Sequence, residues 1–182
     1  MTLIIREPTG LRFAENLVLG SGLNIRNTVE GVPELQATAV GIKAYLTANV
    51  NVPTATWVAL AFNAELFDDG LHSTSTNPSR FAAPSGLGGK YLVIAHAVFT
   101  NSPTGGDDTA RVVRLRKNGT IVEAEGRLLE NGAGTTVVVS TVAQLNAGDY
   151  LEMLVYQNSG STVQACGSSA QYTTFTMVRM GA

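Results

Sequence analysis

Alternation of apolar and polar positions is clearest at Asp149–Gln157. In an extended strand Leu151, Met153 and Val155 fall on one side, and Tyr150, Glu152, Leu154 and Tyr156 on the other. The first set is a core face. The second mixes one charge with three large apolar groups, which is the texture of a surface covered by another chain. Similar β-branched runs, separated by Gly, Asn, Asp, Pro and Ser clusters, predict strands at Thr56–Asn63, Arg80–Ala83, Lys90–Thr100, Ala110–Lys117, Thr120–Leu128, Thr135–Gln144, Asp149–Gln157, Thr162–Cys166 and Tyr172–Met180. Asn118-Gly119 predicts a tight hairpin, because both central positions of such a turn want positive φ. Strands at this spacing imply an all-β sandwich, jelly roll or barrel.

The first 48 residues read differently. Leu3-Ile4-Ile5, Leu11-Arg12-Phe13, Leu17-Val18-Leu19 and Leu23-Asn24-Ile25 are tiny strands punctuated by Asn16, Gly20, Ser21, Gly22 and Asn27. Strands this short build no independent core, but copies from several chains packed together would. Glu34–Ala48, rich in Ala, Leu and Gln, is the best helical stretch. Gly41 and β-branched Thr38, Val40 and Ile42 in its middle weigh against a helix. Residues 46–54 read as the connection into the main domain.

Composition narrows the function. Acids number 14 and bases 12, a net charge of −2, so there is no basic field to attract nucleic acid. Charged residues make up 14% and apolar residues 45% of the chain. Disorder needs the opposite balance, and so low a charge implies surface buried against another chain. No apolar run approaches the ~18 residues of a membrane span, and the flanks of the N-terminal segment are wrong for a signal peptide. The single Cys166 excludes an internal disulfide framework and a cysteine-only metal site.

Candidate chemistry is sparse. His96 lies in an apolar strand, where a core or chain-contact role is expected; His72 follows Asp68-Asp69-Gly70-Leu71 in a loop, where a surface role is expected. The Asp68-Asp69 and Asp107-Asp108 pairs suit turns, and also offer carboxylates for calcium, although the EF-hand pattern is absent. Gly86-Leu87-Gly88-Gly89-Lys90 imitates a phosphate loop, but Pro84 stands where the first glycine belongs and a strand follows, so it reads as a flexible connection. No Gly-x-Ser-x-Gly occurs, and Glu123 and Glu125 share one strand face, where exposure is expected. Arg111, Arg114, Arg116 and Lys117 form a basic cluster that reads as a solvated face. No catalytic residue and no cofactor is nominated.

One succession of motifs carries more. Phe62 to Asp68-Asp69-Gly70 is followed by Arg80-Phe81-Ala82-Ala83-Pro84 and Gly89-Lys90-Tyr91-Leu92-Val93. Then come Arg116-Lys117-Asn118-Gly119, Leu145-Asn146-Ala147-Gly148-Asp149 and Val155-Tyr156-Gln157-Asn158, and the run closes on Phe175-Thr176-Met177-Val178-Arg179. Over about residues 54–180 this order and spacing resembles the C1q-like globular head of the tumour-necrosis-factor-like jelly-roll superfamily. The Gly86–Gly88 stretch is longer than the family's spacing, and the Gly-x-y collagen stalk is absent. With a short β-rich leader ahead of the jelly roll, the chain looks most like variants found in bacteriophage virion surface proteins.

The resemblance implies a homotrimer with a β-rich docking and trimerisation module over residues 1–48 and a C1q-like jelly roll over 49–182. The expected function is non-enzymatic: a capsid decoration or head-spike protein on the virion exterior. Leu3, Ile4, Ile5, Leu11 and Phe13 would dock to the major capsid protein or another virion protein, and Trp57, Tyr150, Leu154 and Tyr156 would form the trimer contact. The alternative is a receptor-binding module at a phage tail or fibre tip, reading a host glycan or protein through apex loops Asp68–Pro78, Ser102–Asp108 and Glu130–Gly134. Neither nucleic acid nor membrane insertion is expected.

Overall fold

The computed structural model describes residues 5–7, 10–12, 23–27, 33–37, 39–100, 109–130, 134–168, 170 and 172–181, with side chains from residue 39 onward. The chain divides into two compact units, at residues 1–38 and 39–182. The first holds two antiparallel hairpins: β1 (Ile5–Glu7) with β2 (Gly10–Arg12), and β3 (Leu23–Asn27) with β4 (Pro33–Ala37). Ile5 lies on β1 opposite Arg12, and Leu11 on β2 opposite Arg6. Leu3, Ile4, Phe13 and the strand expected at Leu17–Leu19 lie outside the described residues.

The second unit is a sandwich of two antiparallel sheets. Its strands are β5 (Gly41–Tyr45), β6 (Val50–Val52), β7 (Val58–Ala59), β8 (Ala64–Asp68), β9 (Arg80–Ala82), β10 (Gly89–Phe99), β11 (Ala110–Lys117), β12 (Ile121–Leu129), β13 (Thr135–Leu145), β14 (Tyr150–Gln157), β15 (Val163–Ala165) and β16 (Thr174–Gly181). In the seven-stranded sheet β13 covers one side of β10. The other side is shared by β16 and, at Phe99, β15; β5 follows β16, β6 follows β15, and β8 closes the edge on β5. The five-stranded sheet runs β12-β11-β14, with β7 and β9 sharing the far side of β14.

As the residues in its middle suggest, the described residues of Glu34–Ala48 form no helix and supply β4 and β5. One expectation is corrected here: the boundary lies at 38/39 and not 48/49, because β5 is a full member of the seven-stranded sheet, paired to β16 on one side and β8 on the other. Ile42 and Ala44 alternate into the core, followed by Leu46, all fully buried. Gly41 starts the strand where a Cβ would stand only 3.1 Å from the Met177 carbonyl oxygen. Of the run Thr56–Asn63 only Val58–Ala59 pairs as a strand, and Leu60 and Phe62 are buried beyond it.

An aromatic cluster ties the sheets together. Phe81 stacks on Phe175 at 3.7 Å between ring centres, and Phe62 meets both edge-on at 5.4 and 6.3 Å. At the other end of the sandwich Arg111, buried on the same face of β11 as Val113 and Leu115, forms an ion pair with buried Glu130.

Two sequence motifs meet at a clamp. Asn118 and Gly119 take φ of 50° and 73°, as the hairpin requires. Asn118 Nδ2 donates to Asp149 Oδ1 at 2.7 Å, its Oδ1 accepts from the Tyr150 N–H at 2.9 Å, and Lys117 Nζ lies 3.0 Å from Asp149 Oδ2. The Asn146 N–H also donates to Asp149. Hydrogen bonds from Asn118, Asn146 and Lys117 hold the Asp149 carboxyl down at about 2. A carboxylate held below its ordinary range stabilises the fold above the unfolded value, and the benefit is lost as pH falls through the folded value. Asp149→Ala is therefore expected to cost about 1–2 kcal/mol at neutral pH. In urea titrations its deficit against the unsubstituted chain should shrink between about pH 4 and pH 2. An equal deficit across that window would contradict the clamp.

Candidate assembly surface

The outward face of the seven-stranded sheet is apolar. Cross-strand register aligns it in rows: Val138, His96, Thr174 and Tyr45; then Ser140, Ile94, Thr176, Lys43 and Phe67; then Val142, Leu92, Val178 and Gly41. Val138 and Val142 are 57% and 53% exposed, and Leu92, Ile94 and Phe67 also stand in water. Lys43 and His96 are the ionisable cations on these rows, Lys90 follows in the next, and no carboxylate shares the three rows. An uncovered apolar face of this kind marks a contact site.

A second apolar surface lies on the edge strand β12, where Ile121, Val122, Leu128 and Leu129 are all about half exposed. Gly126 lets β12 close against β13, since a Cβ there would stand 3.1 Å from the Val138 carbonyl oxygen. β12 therefore lies beside β13, the strand that presents Val138 and Val142 on the face.

Tyr150, Leu154 and Tyr156 lie on the outward face of the five-stranded sheet, where Trp57 packs on Tyr156 and Tyr150 stands at the other end of β14; all four are largely covered by their own chain. The Arg114 guanidinium lies 3.9 Å from the centre of the Trp57 ring, which packs on Tyr156 at 5.0 Å. Arg80 lies 4.3 Å above Tyr150. Glu152 joins Arg116 at 2.9 Å and Arg80 at 3.8 Å, and Leu154 beneath is buried. The core half of the Asp149–Gln157 alternation stands as expected, with Leu151, Met153 and Val155 fully buried.

Other candidates take structural places. His72 is not a surface residue: its side chain is fully buried, stacked on Phe81 at 4.6 Å, with Nδ1 2.6 Å from Glu65 Oε1 and Nε2 3.0 Å from the Pro78 carbonyl. The loop folds over the ring, which sequence order alone does not disclose. Arg111 leaves the expected solvated cluster because it shares strand parity with core residues Val113 and Leu115; Arg114 and Arg116 do face outward. The Gly86–Gly89 loop is anchored, since Tyr91 Oη donates to the Leu87 carbonyl and Arg179 to that of Gly88. Asp68 and Asp69 accept from the Leu71 and Gly41 N–H groups, while Asp107-Asp108 lies outside the described residues. Among the described residues no three His, Cys, Asp or Glu side chains converge as metal ligands.

Of the three proposed recognition loops, Asp68–Pro78 leaves β8 beside Gly41, in the row of Leu92 near the start of β10. Ser102–Asp108 and residues 131–133 of the third lie outside the described residues.

No protein-family model matches the sequence, and no curated protein matches it. Solved structures do match its fold. The globular domain of zebrafish complement 1qA protein aligns at TM-score 0.54 and 13% identity, over 78% of this chain and 98% of that one. Murine APRIL at pH 5.0 aligns at TM-score 0.57 and 11% identity, over 79% and 100%. Eiger TNF from S. frugiperda aligns at TM-score 0.52 and 10% identity, over 79% and 93%. The second unit thus has the two-sheet jelly-roll fold of C1q and TNF-like domains.

Proposed function

We propose that this chain is a non-enzymatic assembly protein, a homotrimer in which the β12 edge of one jelly roll packs on the seven-stranded face of the next. One observation carries this: the same domain bears two unlike apolar surfaces, a face around Leu92, Ile94, Val138 and Val142 and an edge at Ile121, Val122, Leu128 and Leu129. A surface that meets its own copy makes a dimer, whereas two unlike surfaces make a ring or an open filament. The C1q-like resemblance favours a ring of three. The contact then lies on this face and edge, in place of Trp57 and Tyr150, each already covered by an arginine.

In the finer reading the trimer decorates a virion. The first unit, carrying Ile5 and Leu11, docks to the major capsid protein and the jelly roll faces outward. This is supported by the resemblance of residues 54–180 together with a separate β-rich unit ahead of them. Light scattering of the purified chain is expected to give a trimer mass, and Val138→Glu, which places a carboxylate in the apolar face, a monomer that stays folded. A monomer for the unsubstituted chain would sink the trimer reading. For the virion reading, quantitative mass spectrometry of particles should find a copy number comparable to the major capsid protein. A handful of copies would favour a tail tip, and none would remove the virion argument.

A further inference from the structure

Resting on the trimer reading, we infer that assembly is gated by protonation of His96: the face packs with the ring neutral and fails to pack with the ring charged. His96 stands on the face that assembly would bury, in the row of Val138, Thr174 and Tyr45. The neighbouring row brings Ser140 from β13, Ile94 from β10 itself, Thr176 from β16 and Lys43 from β5. Lys90 lies further along β10. The acids of β8 and the turn after it are engaged elsewhere: Glu65 with His72, Asp68 with the Leu71 N–H and Asp69 with the Gly41 N–H. Within its own subunit a charged His96 therefore shares the face with a second cation and apolar neighbours, with no carboxylate on its rows to offset it. The β12 edge of the next copy carries Glu123, Glu125 and Arg127, and Glu125 is already paired with Arg114.

Burial, and then the charge of Lys43, already hold the His96 imidazole below its ordinary value of 6.5. Covering the face removes more water and favours the neutral ring further. The sign follows: the stabilisation is present above the ordinary value and is lost as pH falls through the lowered one, because dissociated subunits take up the protons. One ring per subunit makes three protons per trimer. Each adds up to about a factor of ten per pH unit, so the trimer dissociation constant rises by up to about a thousandfold per unit in that range.

The test is sedimentation equilibrium of the full chain between about pH 8 and about pH 5, at constant ionic strength. Circular dichroism alongside shows that the subunits stay folded. The unsubstituted chain is expected to be trimeric at the upper end and to dissociate on acidification. His96→Gln should stay trimeric throughout, and Lys43→Gln should show a weaker pH dependence than the unsubstituted chain. A trimer that persists unchanged to about pH 5, or an acid dissociation that His96→Gln does not abolish, overturns the gate and leaves the trimer reading intact. A monomer at every pH overturns the trimer reading, and the gate with it.

Discussion

Shortening the chain to begin at residue 39 is expected to leave the jelly roll folded, and shortening it to begin at residue 49 to unfold it. The ten residues between these cuts contain β5, which is paired on both sides. Their loss exposes the β16 edge and leaves β8 without its partner strand. It also removes Ile42 and Leu46, both fully buried. Burial of two such side chains is worth about 3–6 kcal/mol, against a whole-domain stability of about 5–15 kcal/mol. Thermal melts by circular dichroism decide the matter. Cooperative melting of the 49–182 fragment at the temperature of the 39–182 fragment would show that β5 is dispensable and the boundary misplaced.

Replacing Glu130 by alanine is expected to cost about 3–5 kcal/mol, among the largest effects of any single substitution in the unit. Glu130 is 1% exposed and Arg111 wholly buried, so removing the carboxylate strands a guanidinium inside the sandwich. Among the described residues the guanidinium has little else to lean on. Its NH1 lies 3.3 Å from the Ala110 carbonyl oxygen and 3.5 Å from Thr109 Oγ1, and its Nε finds no acceptor among them. Arg111→Met combined with Glu130→Leu removes both charges and keeps much of the volume, and such replacements are often neutral or stabilising. Urea denaturation should therefore show a large loss for Glu130→Ala and recovery for the double variant. A loss below about 1 kcal/mol for the single change would mean that water reaches the pair.

What the sequence disclosed follows from where burial is one-sided. Ala110–Lys117 forms a strand with the expected bounds; Asp149–Gln157 differs by one residue at its start, and Lys90–Thr100 by one residue at each end. In β11 and β14 one face is pressed against the core, which makes the strands legible. β5 is short, begins at a glycine and follows residues with helical leanings, so its assignment waits on β16, a strand more than a hundred residues away. The burial of His72 and Arg111 is likewise decided by distant packing. The assembly face did leave a signal. Tyr91-Leu92-Val93-Ile94-Ala95 and Val137-Val138-Val139 are apolar at successive positions, so both faces of those strands avoid water. In a two-layer sandwich only one face meets the core, and the other therefore needs a partner. Exposure in the folded unit, rather than the pattern of Asp149–Gln157, identifies the face that lacks one.

The placement of β16 has a consequence for synthesis. Although last among the described strands, it lies inside its sheet, between β10 and β5. Until the ribosome has released residues near 181, β10 and β5 have nothing to join them, and Leu92, Ile94 and the inner aromatics remain open to other chains. Folding of this unit is thus held back until β16 has emerged. Its dominant pairings are distant in sequence, which makes such topologies slow to form and exposed to aggregation on the way. During that interval the apolar strands of the proposed assembly face are the ones most in need of a chaperone.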